Sequence, residues 1–218
     1  MDRTVEDRAL VRAPFESAAV CVRGLVRGGG VTGLTCGQFS LLDLVLALLE
    51  KTGPADVRLS TWSTGIRDAE TAGALLKDGR IKSLRMYTDR SFPSRQPKYA
   101  ARVVQIFGPD AIKCTRIHAK IALIQAGGWR LVVRSSMNLN KNPRFEQFDV
   151  DDSPQMFEMI ADWLDALDRE TPGLVFTNAE VERAFKAALS STLTDADAVG
   201  SMVDKPSDKK KKIPAWMR

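Results

Sequence analysis

Apolar residues along this chain fall into two alternating spacings. From Phe39 to Lys51 they nearly encircle a helix, which predicts a buried one. Ser40 and Asp43 have the spacing of a capping box at its start, and Gly53-Pro54 ends it. Val57 to Trp62 alternates with period two and predicts a strand. Asp68 to Lys77 predicts a helix closed by Gly79, Ile81 to Tyr87 a second strand, and Lys98 to Phe107 a helix before Gly108-Pro109. Strand–helix–strand–helix order implies parallel pairing through helical crossovers. Two β-branched and apolar runs follow, Ile117 to Ile124 and Trp129 to Val133. The Gln125–Gly128 link between them predicts a hairpin. Phe148 to Val150 has the pattern of a short strand, Met156 to Leu167 of an amphipathic helix with an acidic outer face, and Asn178 to Leu189 of a last helix. Before Gly33 the pattern is weak, with one candidate helix over Glu16 to Val26.

The expected fold class is therefore α/β. A mixed sheet between helices forms a single main domain over residues 34–168, after an N-terminal helical segment (1–33). A C-terminal helical extension (169–200) and a polar, basic tail (201–218) predicted to be disordered complete the chain.

Composition narrows the class. Of 218 residues, 44% are hydrophobic and 27% charged, as in an ordinary globular protein. Cys21, Cys36 and Cys114 are odd in number and far apart, and there is a single histidine. This predicts neither a disulfide framework nor a metal site, and no cofactor is expected. The longest apolar run, Leu41 to Leu49, contains Asp43 and is too short to cross a bilayer. The charged first residues do not resemble a signal peptide, so a cytoplasmic protein without membrane partners is expected.

The net charge of +5 belongs to the tail. Residues 205–218 contribute six basic residues against Asp208, leaving 26 basic and 26 acidic residues in the body. Within the body, Arg80 to Arg116 holds nine basic and two acidic residues, and Glu146 to Glu182 eleven acidic and one basic. A basic run leading into the single histidine suits a polyanionic substrate, although charge runs are often only a solvated face. The tail ends Ile213-Pro214-Ala215-Trp216-Met217-Arg218, which suits a short docking peptide for a protein partner.

Candidate chemistry centres on that histidine. His118 and Lys120 are two apart, which on a strand puts them on one face. The hairpin brings back Arg134, Ser135, Ser136 and Asn138, and Glu146 follows. Singly, these are ordinary surface, turn or structural residues. Together they supply an imidazole able to act as nucleophile or proton carrier near neutral pH, with charge and donors for phosphate oxygens.

His118-x-Lys120 followed by Ser136-x-Asn138 and Glu146 resembles the signature of the phospholipase D superfamily, most of all the small bacterial nucleases that carry the motif once. The resemblance covers about residues 33–167 in element order and 118–146 in motif detail. It implies a mixed sheet between helices and a pseudo-twofold site made of two motif copies. It also implies a covalent phosphohistidine formed without a metal. His118 then matches the catalytic histidine, Lys120 the lysine, Ser136 and Asn138 the Ser-x-Asn pair, and Glu146 the downstream acid. The sequence departs from that pattern twice: Gln125 stands where an aspartate is usual, and Ser135 where a glycine is usual.

Such chemistry needs one imidazole to attack phosphorus and another to protonate the leaving oxygen. With one histidine per chain, the second must come from a second copy, so a homodimer is expected. Lys120, Asn138 and Ser136 would hold non-bridging oxygens, and Glu146 would orient His118. Ser135, Arg116, Arg134 and Lys98 are the expected substrate contacts. Nucleic acid, DNA foremost, is the expected substrate. A non-catalytic DNA-binding or tethering module on the same fold is the alternative, and a phospholipase a more distant one.

Overall fold

The computed structural model describes residues 8–13 and 16–171, together with 179, 182, 183, 186 and 187. At its centre is one eight-stranded mixed sheet. In chain order the strands are β1 (Arg8–Ala13), β2 (Gly30–Thr35), β3 (Ala55–Thr61), β4 (Ile81–Asp89), β5 (Ile112–Thr115), β6 (Lys120–Ala126), β7 (Trp129–Ser135) and β8 (Glu146–Asp152). Across the sheet they run β1-β2-β8-β7-β6-β3-β4-β5. Only β6 and β8 oppose the other six, as the parallel and antiparallel pairings require.

Helices cover both faces. On one lie α1 (Ala18–Cys21), α2 (Leu41–Thr52), α3 (Ile66–Lys77), α4 (Phe92–Arg95) and α5 (Pro97–Phe107), and on the other α6 (Pro154–Glu170). Strand alternation divides the core between them. Ala122, Ile124, Leu131 and Val133 pack toward α2, whereas Leu123 and Val132 pack toward Phe157, Ala161 and Leu164 of α6. The expected mixed sheet sandwiched between helices is the observed architecture.

Local sequence accounts for the sharpest boundaries. The Ser40 hydroxyl accepts from the Asp43 amide at 3.3 Å, and the Asp43 carboxylate accepts from the Ser40 amide at 2.8 Å, so the capping box is reciprocal. Gly53 ends α2 at φ 73°, a conformation side chains resist. Gly127 and Gly128, at φ 48° and 86°, make the two-residue turn joining β6 to β7.

The N-terminal residues differ from expectation. Only Ala18–Cys21 of the anticipated Glu16–Val26 helix is helical, and the 1–33 segment instead gives the sheet β1 and most of β2. Electrostatics explains this. Asp149, Asp151 and Asp152 lie within the acidic run, yet Asp151 and Asp152 are buried and face arginines from distant sequence. Arg8 pairs with Asp149 and Asp151, Arg134 with Asp151 at 3.0 Å and Arg27 with Asp152 at 3.3 Å. Asp152 also accepts from the Gly28 and Arg130 amides. A buried carboxylate is tolerable only when so satisfied, and the N-terminal strands supply part of the satisfaction. For the same reason β8 is a full seven-residue strand, longer than Phe148–Val150.

The strand expected from Ile117 begins at Lys120, leaving His118 in the preceding loop. Strand β5 and helix α4 were not anticipated. The expected Asn178–Leu189 helix falls mostly outside the described residues, and the 201–218 tail wholly so. Among the described residues, no helix is long and apolar enough to cross a membrane.

Candidate active site

Strand direction decides where the chemistry gathers. The carboxyl ends of β3 and β7 and the amino ends of β6 and β8 all reach one edge of the sheet. In open α/β sheets, the edge at the carboxyl ends is where ligands sit.

Lys120 opens β6, paired with Ser135 at the end of β7. Lys120 is 8% exposed as a residue, and His118, outside the strand, is exposed beside it. The Lys120 ammonium donates to the His118 carbonyl at 2.7 Å and lies 3.1 Å from Nδ1 of the ring. It also lies 3.4 Å from Nε2, so the ammonium sits close to both ring nitrogens. A buried amine thus holds an exposed imidazole against the sheet edge. Burial pushes the Lys120 pKa below its usual 10.5, and the charge of Glu146 partly opposes that fall.

Just past β7 the chain turns on its own side chains. The Ser135 hydroxyl donates to the Gln147 carbonyl at 2.9 Å and accepts from the Met137 amide at 2.9 Å. Ser136 is exposed. Its hydroxyl donates to the Glu146 carboxylate and accepts from the Gln147 amide at 2.9 Å. Asn138 is half-buried. Its side-chain oxygen accepts from the Thr61 hydroxyl at 3.4 Å, and its carbonyl accepts from the Leu41 amide at the start of α2. The Ser-x-Asn turn is therefore fixed to β8, to the end of β3 and to the α2 N-terminus.

His118, Lys120, Ser136, Asn138 and Glu146 accordingly share one edge. Glu146 holds Ser136 rather than the imidazole, the partner expected for it. Arg116 is exposed, two residues ahead of His118, and Lys98 is exposed in the first turn of α5. Arg134 leaves the strand end toward Asp151, and Ser135 is occupied in shaping the turn.

Sequence reasoning missed Trp62 and Arg95. The Trp62 ring lies 5.8 Å from the His118 ring, tilted at 54°. The Arg95 guanidinium stacks 3.8 Å from the centre of the Trp62 ring and donates to the Trp62 carbonyl at 3.0 Å. Trp62 follows the carboxyl end of β3, and that position was the available signal. Among the described residues, no three or more histidine, cysteine or acidic side chains are grouped so as to hold a metal ion.

No family model matches the chain, and no curated protein matches its sequence. Among solved structures, it is similar to Nuc from Salmonella typhimurium, described as a phospholipase D family member. The identity is 12% and the TM-score 0.49, over 66% of this chain and 97% of that one. It is also similar to NucT from Helicobacter pylori, at 15% identity and a TM-score of 0.48, over 66% of this chain and 99% of that one.

Proposed function

We propose that this chain is a phosphodiesterase that cleaves nucleic acid, DNA foremost, without a metal, in a site completed by a second copy. The observation that carries the reading is the exposed His118 ring held by the buried Lys120 ammonium, at the edge where Ser136, Asn138 and Glu146 also arrive.

In the proposed reaction, one imidazole nitrogen attacks phosphorus and forms a P–N bond. The P–O bond to the leaving oxygen breaks, and the second copy's imidazole supplies that oxygen's proton. Water then gives a proton to the second imidazole as its oxygen displaces the histidine, breaking the P–N bond and releasing the phosphate ester. Lys120 and Asn138 stabilise the charge building on non-bridging oxygens, and Ser136 adds a donor. Since one ring must start neutral and the other protonated, activity follows a bell-shaped pH profile.

The surroundings support a nucleic-acid substrate. Arg95, stacked on Trp62, brings positive charge near the histidine, and Trp62 offers an aromatic surface beside it, the combination on which unpaired bases stack.

The test is digestion of plasmid and oligonucleotide DNA in EDTA by the native chain and by His118→Ala. Cleavage should persist in EDTA and vanish in the variant. Loss of cleavage in EDTA, or a fully active variant, overturns the reading. Salt-sensitive DNA binding without hydrolysis, retained by His118→Ala, would instead establish the tethering module.

A further inference from the structure

The basic run that ends at Arg116 collects at one rim of the fold. Strands β3, β4 and β5 are parallel and β6 opposes them, so their carboxyl ends lie at the edge that carries His118. Arg90 directly follows β4, and Arg116 directly follows β5. The Arg90 amide donates to the Thr115 carbonyl at 2.8 Å, which ties these two strand ends together. From the end of β4 the chain passes through α4, which carries Arg95, into α5, whose first turn carries Lys98. Arg95 reaches back over Trp62, toward the histidine.

Elsewhere, arginines hold the fold together: Arg8, Arg27, Arg58 and Arg85 each pair with a carboxylate. Arg90, Arg95, Lys98 and Arg116 are all exposed, and among the described residues none has a carboxylate within ion-pair distance. The acidic residues of the same run do not neutralise them. Asp89 accepts from the amide of Ser91 at 2.9 Å and from its hydroxyl. Asp110 precedes β5 and so lies at the opposite end of the sheet. Like charges gathered without counter-charges repel one another, a cost that a bound polyanion removes.

The rim also has the length for a polymer. From the amino end of β6 past β3 and β4 to β5 it crosses three strand spacings, about 14 Å in all. One strand of a B-form duplex carries about four phosphates over that distance.

We infer that nucleic acid bound at His118 continues along this rim, over the carboxyl ends of β4 and β5, with Arg90, Lys98 and Arg116 against its phosphates. The path depends on nucleic acid being the substrate at His118, and it gives that substrate a direction and a length. About four nucleotides on one side of the reacting phosphate are held through their backbone, whatever their sequence.

The test is fluorescence anisotropy of a dye-labelled DNA duplex across a range of NaCl concentrations. The parent is the full-length His118→Ala chain in EDTA, so that cleavage plays no part. Arg90→Gln, Lys98→Gln and Arg116→Gln are added to it singly and together. A charge-matched control carries Lys51→Gln, Lys77→Gln and Lys82→Gln, exposed lysines at the opposite end of the sheet. The slope of log affinity against log salt should flatten by about 0.7–0.9 for each single rim variant and by about 2–3 for the triple, and should hold in the control. The rim side chains are exposed and outside ion pairs, so the triple should unfold at the parent's temperature. An unchanged slope in the rim triple, or equal flattening in both triples, overturns the path and leaves the His118 reading standing. Absence of DNA binding by the parent at low salt also overturns the path, and cleavage by the native chain then decides the His118 reading separately.

Discussion

Lys120 is the residue at which proposed function and stability pull apart. Its folded pKa lies below the unfolded 10.5 because it is buried. Stability linked to a depressed pKa is complete only above the unfolded value, and is lost as pH falls through the folded one. At neutral pH, therefore, the fold holds this charge at a cost, as sites poised for anions often do. Lys120→Met keeps the length and removes the charge. The expected outcome is an unfolding temperature equal to or above the native one at pH 7, with the difference closing above pH 10. DNA cleavage should fall about 10²–10³-fold, the range for losing one charge-stabilising donor. Scanning calorimetry at both pH values and initial rates check this, and a less stable but active variant would make Lys120 a structural lysine. The proximity of His118 and Lys120 was legible from their spacing, even though His118 proves to precede the strand. Trp62 could be read only from its place after the carboxyl end of β3, and its contact with Arg95 was not legible, because it joins residues 33 apart.

Among the elements, those governed by neighbouring residues were legible and those governed by distant ones were not. Capping side chains and two glycines with positive φ define α2 and the β6–β7 hairpin. Strand β1, and the extension of β8 beyond the expected Phe148–Val150, depend instead on the pairing of Arg8 with Asp149 and Asp151, more than 140 residues away. Strand β2 carries a further long-range constraint. Gly33 faces Phe148 across the β2–β8 ladder, and a Cβ on Gly33 would stand 2.2 Å from the Phe148 ring. Phe148 is fully buried, with its ring 5.9 Å from that of Phe39 in an edge-on arrangement, so it has little room to move. Gly33→Ala should accordingly destabilise the chain by about 1–3 kcal/mol, the usual range for overpacking a core. Adding Phe148→Leu should recover part of the loss, because the smaller side chain vacates the contested space. Urea unfolding of the two single variants and the double variant measures the coupling. Strict additivity would show that Phe148 is not what opposes the methyl group.

For the whole molecule, the strand order brings β6 beside β3 and gathers every motif residue at one edge, a convergence that strand pattern alone does not specify. The chain has one histidine, so a reaction using two imidazoles needs two chains, and this can be tested without knowing how they pair. Native chains and His118→Ala chains are mixed in equal amounts and allowed to exchange subunits. Random pairing leaves about a quarter of the dimers with two imidazoles, half with one and a quarter with none. If cleavage requires both rings, activity per native chain falls to about half on exchange and declines further as the variant is added in excess. If each chain carries a complete site, activity per native chain stays constant at every ratio. Sedimentation of the same mixtures must show dimers throughout, since a monomer that cleaves DNA would remove the need for a second imidazole and with it the proposed division between nucleophile and acid.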